Sequence, residues 1–327
     1  MGVPKNELRD APSVSIVVPV FNEGEVIASL VGEIQDVFAG DYANFELILV
    51  DDGSIDRTRA ILGELAAADS RIKVIEFARN YGQTAALTAG FNYAEADIVV
   101  TLDGDGQNDP AEIPKLLEKI ADGNDAVYGW RRHRKDAAFS RRLPSVLANW
   151  LIGIVSGVKL HDYGCTLKAF RSPLIRRLRL YGEMHRFIPL YVEWFGGKAV
   201  EIEVNHRPRM GGRSHYGIGR VPKVLLDLLV VLFLHRYLAK PIYVFGGFGL
   251  LCIVASAVFA LWAVYLKVFE GASFILTPLP LLTVTTGLMG VMSLLMGLLA
   301  EVIVRTYHEG LDKRAYVIRS TKNLPEA

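Results

Sequence analysis

The 327-residue chain has only two cysteines, Cys165 and Cys252. They lie far apart, so neither a disulfide framework nor a cysteine zinc cluster is available. No G-x-G-x-x-G dinucleotide fingerprint occurs. The N-terminus, MGVPKNELRD, is polar and does not read as a signal peptide, so the N-terminal domain is expected to stay in the cytoplasm. Residues 1–223 contain no uncharged run long enough to cross a bilayer, which excludes a polytopic transporter. Charge is missing altogether from residues 242–266 and 271–300, runs of 25 and 30 residues. Each exceeds the roughly 20 residues a helix needs to span hydrocarbon. With 51% hydrophobic residues and a mean hydropathy of +0.27, a purely soluble protein is excluded.

Net charge is nearly absent too, at +1, but the charges are segregated. Residues 1–130 hold 9 Lys/Arg against 23 Asp/Glu, whereas residues 131–223 hold 19 against 6. An acidic third leads into a basic stretch just before the membrane segments. Such a stretch attracts anionic headgroups or a phosphate presented from the bilayer, or is simply a solvated basic surface.

Short apolar, β-branched runs occupy residues 14–20, 47–50, 72–77 and 97–102. Helix-like stretches at 25–39, 57–68, 83–94 and 110–122 alternate with them. Near-continuous apolar strands alternating with helices predict a parallel sheet covered on both faces, an α/β, Rossmann-like domain. Ligands bind beyond the carboxyl ends of such strands, and the polar clusters fall there: Asn22-Glu23, then DDGS at 51–54, then DGD at 103–105. Hard divalent cations take oxygen ligands, and magnesium commonly uses one or two carboxylates plus substrate phosphates. Asp103 and Asp105, two apart in an extended segment, point the same way, and Gln107 adds a neutral oxygen. A lone D-x-D is usually only a turn. Here it follows the strand-like IVVTL and precedes a helix opened by Pro110, which favours metal and diphosphate binding. Asp56 is read as the cap of the next helix. Asp52, with no capping duty, suits hydrogen bonds to a ribose or base.

The strings PVFNE (19–23), DDGSIDRT (51–58), ARNYGQTAAL (78–87), DGDGQNDP (103–110), HDYGCTLKAF (161–170) and RMGGRSHY (209–216) resemble the signatures of glycosyltransferase family 2. With two C-terminal spans, the chain is similar to the polyprenyl-phosphate branch of that family over residues 14–320. The resemblance implies a GT-A catalytic domain at 1–220, an interfacial helix at 221–240, a two-span hairpin at 241–304 and a cytoplasmic tail at 305–327. It implies inverting sugar transfer from a nucleotide sugar to a polyprenyl phosphate, undecaprenyl or dolichyl. A UDP-linked donor such as UDP-glucose is favoured, with GDP-mannose as the alternative. A processive polysaccharide synthase is disfavoured because no Q-x-x-R-W string occurs. A non-catalytic membrane scaffold is the reading of another class.

Carried over position by position, the resemblance makes Pro19, Phe21, Glu23, Asp52 and Asp103 nucleotide contacts. Asp103, Asp105 and Gln107 would hold Mg2+ or Mn2+. Asp162, Asp105 and Arg131 would be catalytic, with Asp162 a base or an organiser of the acceptor. Arg131, Arg209, Ser214 and His215 would bind the lipid phosphate. His215 stands where relatives have lysine, and a histidine with its ordinary pKa near 6.5 is mostly neutral at pH 7. Arg132, Arg134 and Arg141 are surface charge or headgroup contacts, and His161, His185 and His206 are structural or surface residues. No nucleic-acid partner is expected.

In residues 221–239 Asp227 interrupts an apolar stretch, which suits an interfacial helix. Arg236 and Lys240 before the first span, and Arg305, Lys313, Arg314 and Arg319 after the second, place both ends in the cytoplasm by the positive-inside rule. A bacterial inner membrane is the expected location. Glycines at 246, 247, 249, 287, 290 and 297 allow close helix packing, in a homo-oligomer or within one hairpin.

Overall fold

The computed structural model describes residues 12–39, 44–132, 158, 160–176, 178, 180, 184–208, 242–309 and 316–324. Arg134, Arg141, Arg209, Ser214, His215 and the interfacial segment 221–240 lie outside the described residues. The chain divides into two compact units, Met1–Leu228 with Arg314–Ala327, and Leu229–Lys313.

The first unit is built on eight strands: β1 (Val14–Val20), β2 (Phe45–Asp51), β3 (Ile72–Phe77), β4 (Ile98–Thr101), β5 (Ala126–Trp130), β6 (Lys168–Arg171), β7 (Ala199–Glu203) and β8 (Ile318–Lys322). Helices α1 (Ile27–Val37), α2 (Thr58–Ala68), α3 (Gln83–Tyr93) and α4 (Ile113–Ala121) connect the first five. The strand order is β7-β5-β6-β4-β1-β2-β3-β8. β3, β2, β1 and β4 run parallel, as the apolar runs predict, whereas β6 lies antiparallel between β4 and β5.

Val14, Ile16, Val18 and Val20 of β1 enter one core with Ile27, Leu30 and Ile34 of α1 and Leu116 and Ile120 of α4. Burying each of these side chains contributes about 1.5–3 kcal/mol. On the other face α3 comes so close that a Cβ on Gly90 would collide with Val17. That contact requires glycine.

The strand order reverses at β1, with β2 on one side and β4 on the other, so the ligand crevice of an open α/β sheet falls there. The β1–β4 ladder ends at Val17↔Thr101, two residues before a proline that has no N–H to contribute, and the loop after β4 stays close beside the end of β1.

Residues 305–327, expected to be a tail, contain a strand: Ile318–Lys322 pair antiparallel with β3. Tyr316 stacks on Phe77 with ring centroids 4.9 Å apart, and the Asn323 amide donates to the carbonyls of Ala66 and Ile72 at 2.7 and 2.9 Å.

In the second unit, helices Ile242–Phe269 and Leu279–Glu309 pack together. Both are long and apolar enough to cross a membrane, and only 11% and 17% of their most apolar stretches are buried. Their outward leucines, valines and aromatics suit hydrocarbon rather than water. Five of the six glycines face the other helix of the same pair, with Gly290 tight against Ile253 and Gly249, while Gly247 meets open space. Ser256 and Ser293 donate across the pair to the carbonyls of Thr283 and Phe245, both at 2.7 Å.

Candidate active site

The loops at the carboxyl ends of β1, β2 and β4 are tied to one another. Asn22, in the left-handed region at φ 55°, donates its backbone N–H to Ser54 Oγ and accepts at its side chain from Ile55 N–H, both at 2.9 Å. A Cβ on Gly104 would lie 3.0 Å from the Pro19 carbonyl oxygen, so the metal-candidate loop crosses directly beside the first strand. Phe21 and Glu23 are half-buried beside this crossing.

The two aspartates of DDGS divide their work. Asp51 is buried and takes Arg59 Nε at 2.8 Å and Ser54 N–H at 3.0 Å, a structural role. Asp52, 4% exposed, is the one expected to be unpaired. Instead its two oxygens accept the backbone N–H groups of Tyr81 and Gly82 at 2.6 and 2.9 Å. Those amides lead into α3, where unsatisfied N–H groups and the helix dipole favour a negative charge. Burial pushes the Asp52 carboxyl up, aided by Asp51, while the two amides oppose the shift. Asp56 accepts from Thr58 N–H at 3.0 Å, but it stands one residue before the capping position of α2, which is Arg57.

In DGDGQNDP the structure separates scaffold from candidate ligands. Asn108 accepts from Asp103 N–H at 3.3 Å and Thr166 Oγ1 at 2.8 Å. Asp109 caps Ala111 N–H at 3.1 Å and takes Arg207 and Asn205. Asp103, Asp105 and Gln107 are left on the rim. Asp103 takes the Gln83 amide at 2.6 Å, and burial, then the neighbouring Asp105, push its carboxyl up to about 6. Among the described residues no three His, Cys, Asp or Glu side chains assemble into a closed metal site. Two carboxylates held close enough to repel, with Gln107 donating its backbone N–H to Asp105 at 3.1 Å, suit a hard divalent cation that completes its shell from a substrate diphosphate.

Across the rim, Arg131 follows β5 directly. Its Nε and Nη2 meet the two oxygens of Asp162 at 2.7 and 3.0 Å, a bidentate pair with side chains 11% and 6% exposed. Asp162 also accepts from Gly164 N–H at 3.1 Å. Burial works against the Arg131 charge, but Asp162 more than restores it and holds the guanidinium firmly protonated. The loop carrying Asp162 is anchored by Glu201 of β7, which accepts from the backbone N–H groups of His161 and Asp162 at about 3.0 Å. A Cβ on Gly164 would lie 3.2 Å from Arg131 Nη2, so glycine there keeps room for the fork.

His161 and His185 occupy scaffold positions, as expected. His161 stacks on Trp130 at 4.2 Å and bonds Glu201 at 2.7 Å. His185 is buried, bonds Thr84 Oγ1 at 2.7 Å and is pushed down to about 3 by burial, then by Arg186 and Lys168. Arg132 is an exposed surface charge paired with Glu203 at 2.6 Å.

Gln83 and Lys168 also belong to the site's surroundings, and both stand inside the family-like strings ARNYGQTAAL and HDYGCTLKAF. Gln83 carries no charge to draw attention, and Lys168 sits in the β6 run KAFR, which gives no sign of which face it occupies. Their positions relative to Asp103 are set by the register Thr101↔Lys168 and by the start of α3.

The profile described as Glycosyl transferase family 2 matches residues 15–179. The chain is 40% identical over 321 residues to a dodecaprenyl-phosphate galacturonate synthase of Rhizobium johnstonii, covering 96% of this chain and 94% of that one. It is 35% identical over 317 residues to an undecaprenyl-phosphate 4-deoxy-4-formamido-L-arabinose transferase of Edwardsiella ictaluri, covering 96% of each. Among solved structures, the glucosyl-3-phosphoglycerate synthase of Mycobacterium tuberculosis with Mn2+, UDP and phosphoglyceric acid superposes with a TM-score of 0.54. The identity is 21%, and the match covers 68% of this chain and 78% of that one. The same enzyme with Mg2+ and UDP gives 0.53. At such identity the likeness speaks for the fold, a mixed-sheet GT-A-like domain.

Proposed function

This chain belongs to glycosyl transferase family 2, and from that premise we propose that it moves a sugar from a nucleotide sugar to the phosphate of a membrane polyprenyl phosphate. The observation that carries this reading is the polarity of the rim. Asp103 and Asp105 lie on one side, suited to a cation-bound diphosphate. Arg131, locked by Asp162, lies on the other, suited to an anionic acceptor. The names of the full-length relatives at 35–40% identity support the same acceptor class.

The acceptor is a phosphate monoester, already ionised at neutral pH, so the reaction needs little help from a base. Its obstacle is repulsion between two anions brought into line. Arg131 lowers that repulsion at the acceptor, where preorganised charge acts most strongly. Asp162 spends both oxygens on the guanidinium and the Gly164 amide, so it positions Arg131 rather than removing a proton. Asp103 and Asp105, with Gln107, would hold Mg2+ or Mn2+, which would supply Lewis-acid neutralisation of the leaving diphosphate. Pro19, Phe21 and Glu23 line the nucleoside end. Asp52 fixes the Tyr81-Gly82 turn and in this reading contacts the ribose or base. One displacement in line inverts the anomeric centre.

Arg209, Ser214 and His215 complete the lipid-phosphate set in this reading, the catalytic unit faces the cytoplasm of a bacterial inner membrane, and copies of the chain associate. A UDP donor is favoured by the UDP complexes of the structural neighbours. Glucose, proposed from sequence, competes with the uronic and amino-sugar substrates in the relatives' names.

The test is incubation of the full-length protein in detergent with labelled UDP-sugars and undecaprenyl phosphate, with and without EDTA. Label reaching the organic phase only with divalent metal supports the proposal. No lipid product from any nucleotide sugar, GDP-mannose included, would instead make the chain a scaffold.

A further inference from the structure

Among the described residues, Lys168 is a buried cation to which the proposed mechanism assigns no part. It lies on β6, in register with Thr101 of β4 and Tyr128 of β5, and is 4% exposed. Its Nζ stands 6.0 Å from the centre of the Tyr128 ring. Among the described residues it makes no ion pair or hydrogen bond. The carboxylates within its electrostatic reach are already engaged: Asp162 by Arg131, and Asp103 by Gln83. Burial, with Arg131 beside it, pulls Lys168 down to about 8, while Cys165, Asp162 and Asp103 hold it up. A buried ammonium without a counter-ion is costly unless something brings one. The adjacent His185, neutral and bonded to Thr84, brings none.

Position decides what does. β6 runs between β4, which leads to Asp103, and β5, which leads to Arg131. Its register sets Lys168 beside Thr101 and Tyr128, just before those two loops, so it stands between the donor diphosphate side and the acceptor side. In a single displacement, the group that lies between leaving group and acceptor is the transferred sugar.

We propose that Lys168 determines donor specificity, its ammonium pairing with a carboxylate on the transferred sugar, so that the substrate is a nucleoside diphosphate uronate rather than a neutral hexose. The inference rests on the proposed transfer reaction and names its donor class. A site built around an unpaired buried charge rejects an analogue that cannot satisfy it.

The experiment compares the native full-length protein with Lys168→Met and Lys168→Arg. UDP-glucuronate, UDP-galacturonate, UDP-glucose and UDP-galactose are the donors, undecaprenyl phosphate the acceptor. Binding of each donor is measured by titration calorimetry with Mg2+, and transfer by kcat/KM. Native protein is expected to prefer a uronate over its neutral counterpart by at least about 30-fold, the lower range for losing one partner of a buried charge pair. In Lys168→Met that ratio collapses to about 1 in both binding and transfer, and Lys168→Arg restores part of it. The melting temperature of each variant shows that it is folded. Native protein binding neutral hexose donors as tightly as uronates overturns the proposal. So does an equal loss for all four donors, which assigns Lys168 to the diphosphate, or a rise confined to the lipid KM, which assigns it to the acceptor phosphate. Selective uronate binding without any lipid product would sink the transfer reaction and leave the Lys168 assignment standing.

Discussion

Replacing Asp162 by asparagine tests the division of labour at the rim. The side chain keeps its shape but loses its charge, and it turns an N–H2 group toward Arg131 Nε or Nη2, which are themselves donors. Two bonds of 2.7 and 3.0 Å are affected. At that separation and an effective dielectric near 20, the gross attraction is about 6 kcal/mol. Part of this is offset by the cost of desolvating both groups. Leaving one partner of a buried pair unmatched costs about 3–5 kcal/mol, and the side chains here are 11% and 6% exposed. We therefore expect Asp162→Asn to lose about 3 kcal/mol, or about 6–12 °C in melting temperature for a catalytic unit of this size. Because Arg131 loses its alignment, kcat/KM for the lipid acceptor should fall about 100-fold, with the lipid KM rising. Thermal unfolding in detergent and transfer kinetics at varied acceptor concentration read both quantities. A cycle with Arg131→Gln should give a coupling of at least about 2 kcal/mol. A base would behave otherwise, lowering kcat while leaving the lipid KM and the melting temperature in place. Asp162→Asn with near-native kcat, lipid KM and melting temperature would refute the positioning role.

In metal-free protein the raised Asp103 pKa, about 6 against an ordinary 3.8, means the folded state holds a proton that the unfolded state releases. Its stabilising contribution is present below about pH 4 and is lost as pH rises through 6, by at most about 3 kcal/mol. The gain in melting temperature on adding Mg2+ or Mn2+ should accordingly be larger at pH 7 than at pH 5. Gly53→Ala should destabilise by at least about 2 kcal/mol. Gly53 sits at φ +77° and a Cβ would strike the Arg79 backbone; denaturant titration measures the loss, and the turn that Asp52 braces should fail with it. Truncation after residue 315 removes β8 and the Tyr316–Phe77 stack. It should lower the melting temperature and promote aggregation through the uncovered β3 edge, visible by light scattering.

The parallel half of the sheet was legible because its strands are runs of buried aliphatics. Residues 14–20 and 72–77 were bounded as observed, and α1, α2 and α3 begin and end within two residues of expectation, whereas α4 starts three residues late, after a 3-10 turn at Pro110–Glu112. The antiparallel strands were not. KAFR of β6 and IRSTK of β8 are short and charged, and their strand state comes from partners distant in sequence. The acidic rim could be read from DDGS and DGDGQ. The partners of its carboxylates could not: Asp52 is answered by amides 29 and 30 residues away, and Asp103 by Gln83, 20 residues away. In each case the bond follows from where α3 docks against Val17, a packing contact that no local pattern encodes.

β8 has a consequence for topology in the strict sense. A chain that leaves a sheet, runs through two hydrophobic helices and then supplies that same sheet with an edge strand must return to the side of the bilayer it left. Only an even number of crossings satisfies this condition, and the two helices meet it. The strand therefore acts as a parity lock. An insertion error that left one helix outside the bilayer would strand Ile318–Lys322 across the membrane from β3, and the sheet would report the error by losing its edge.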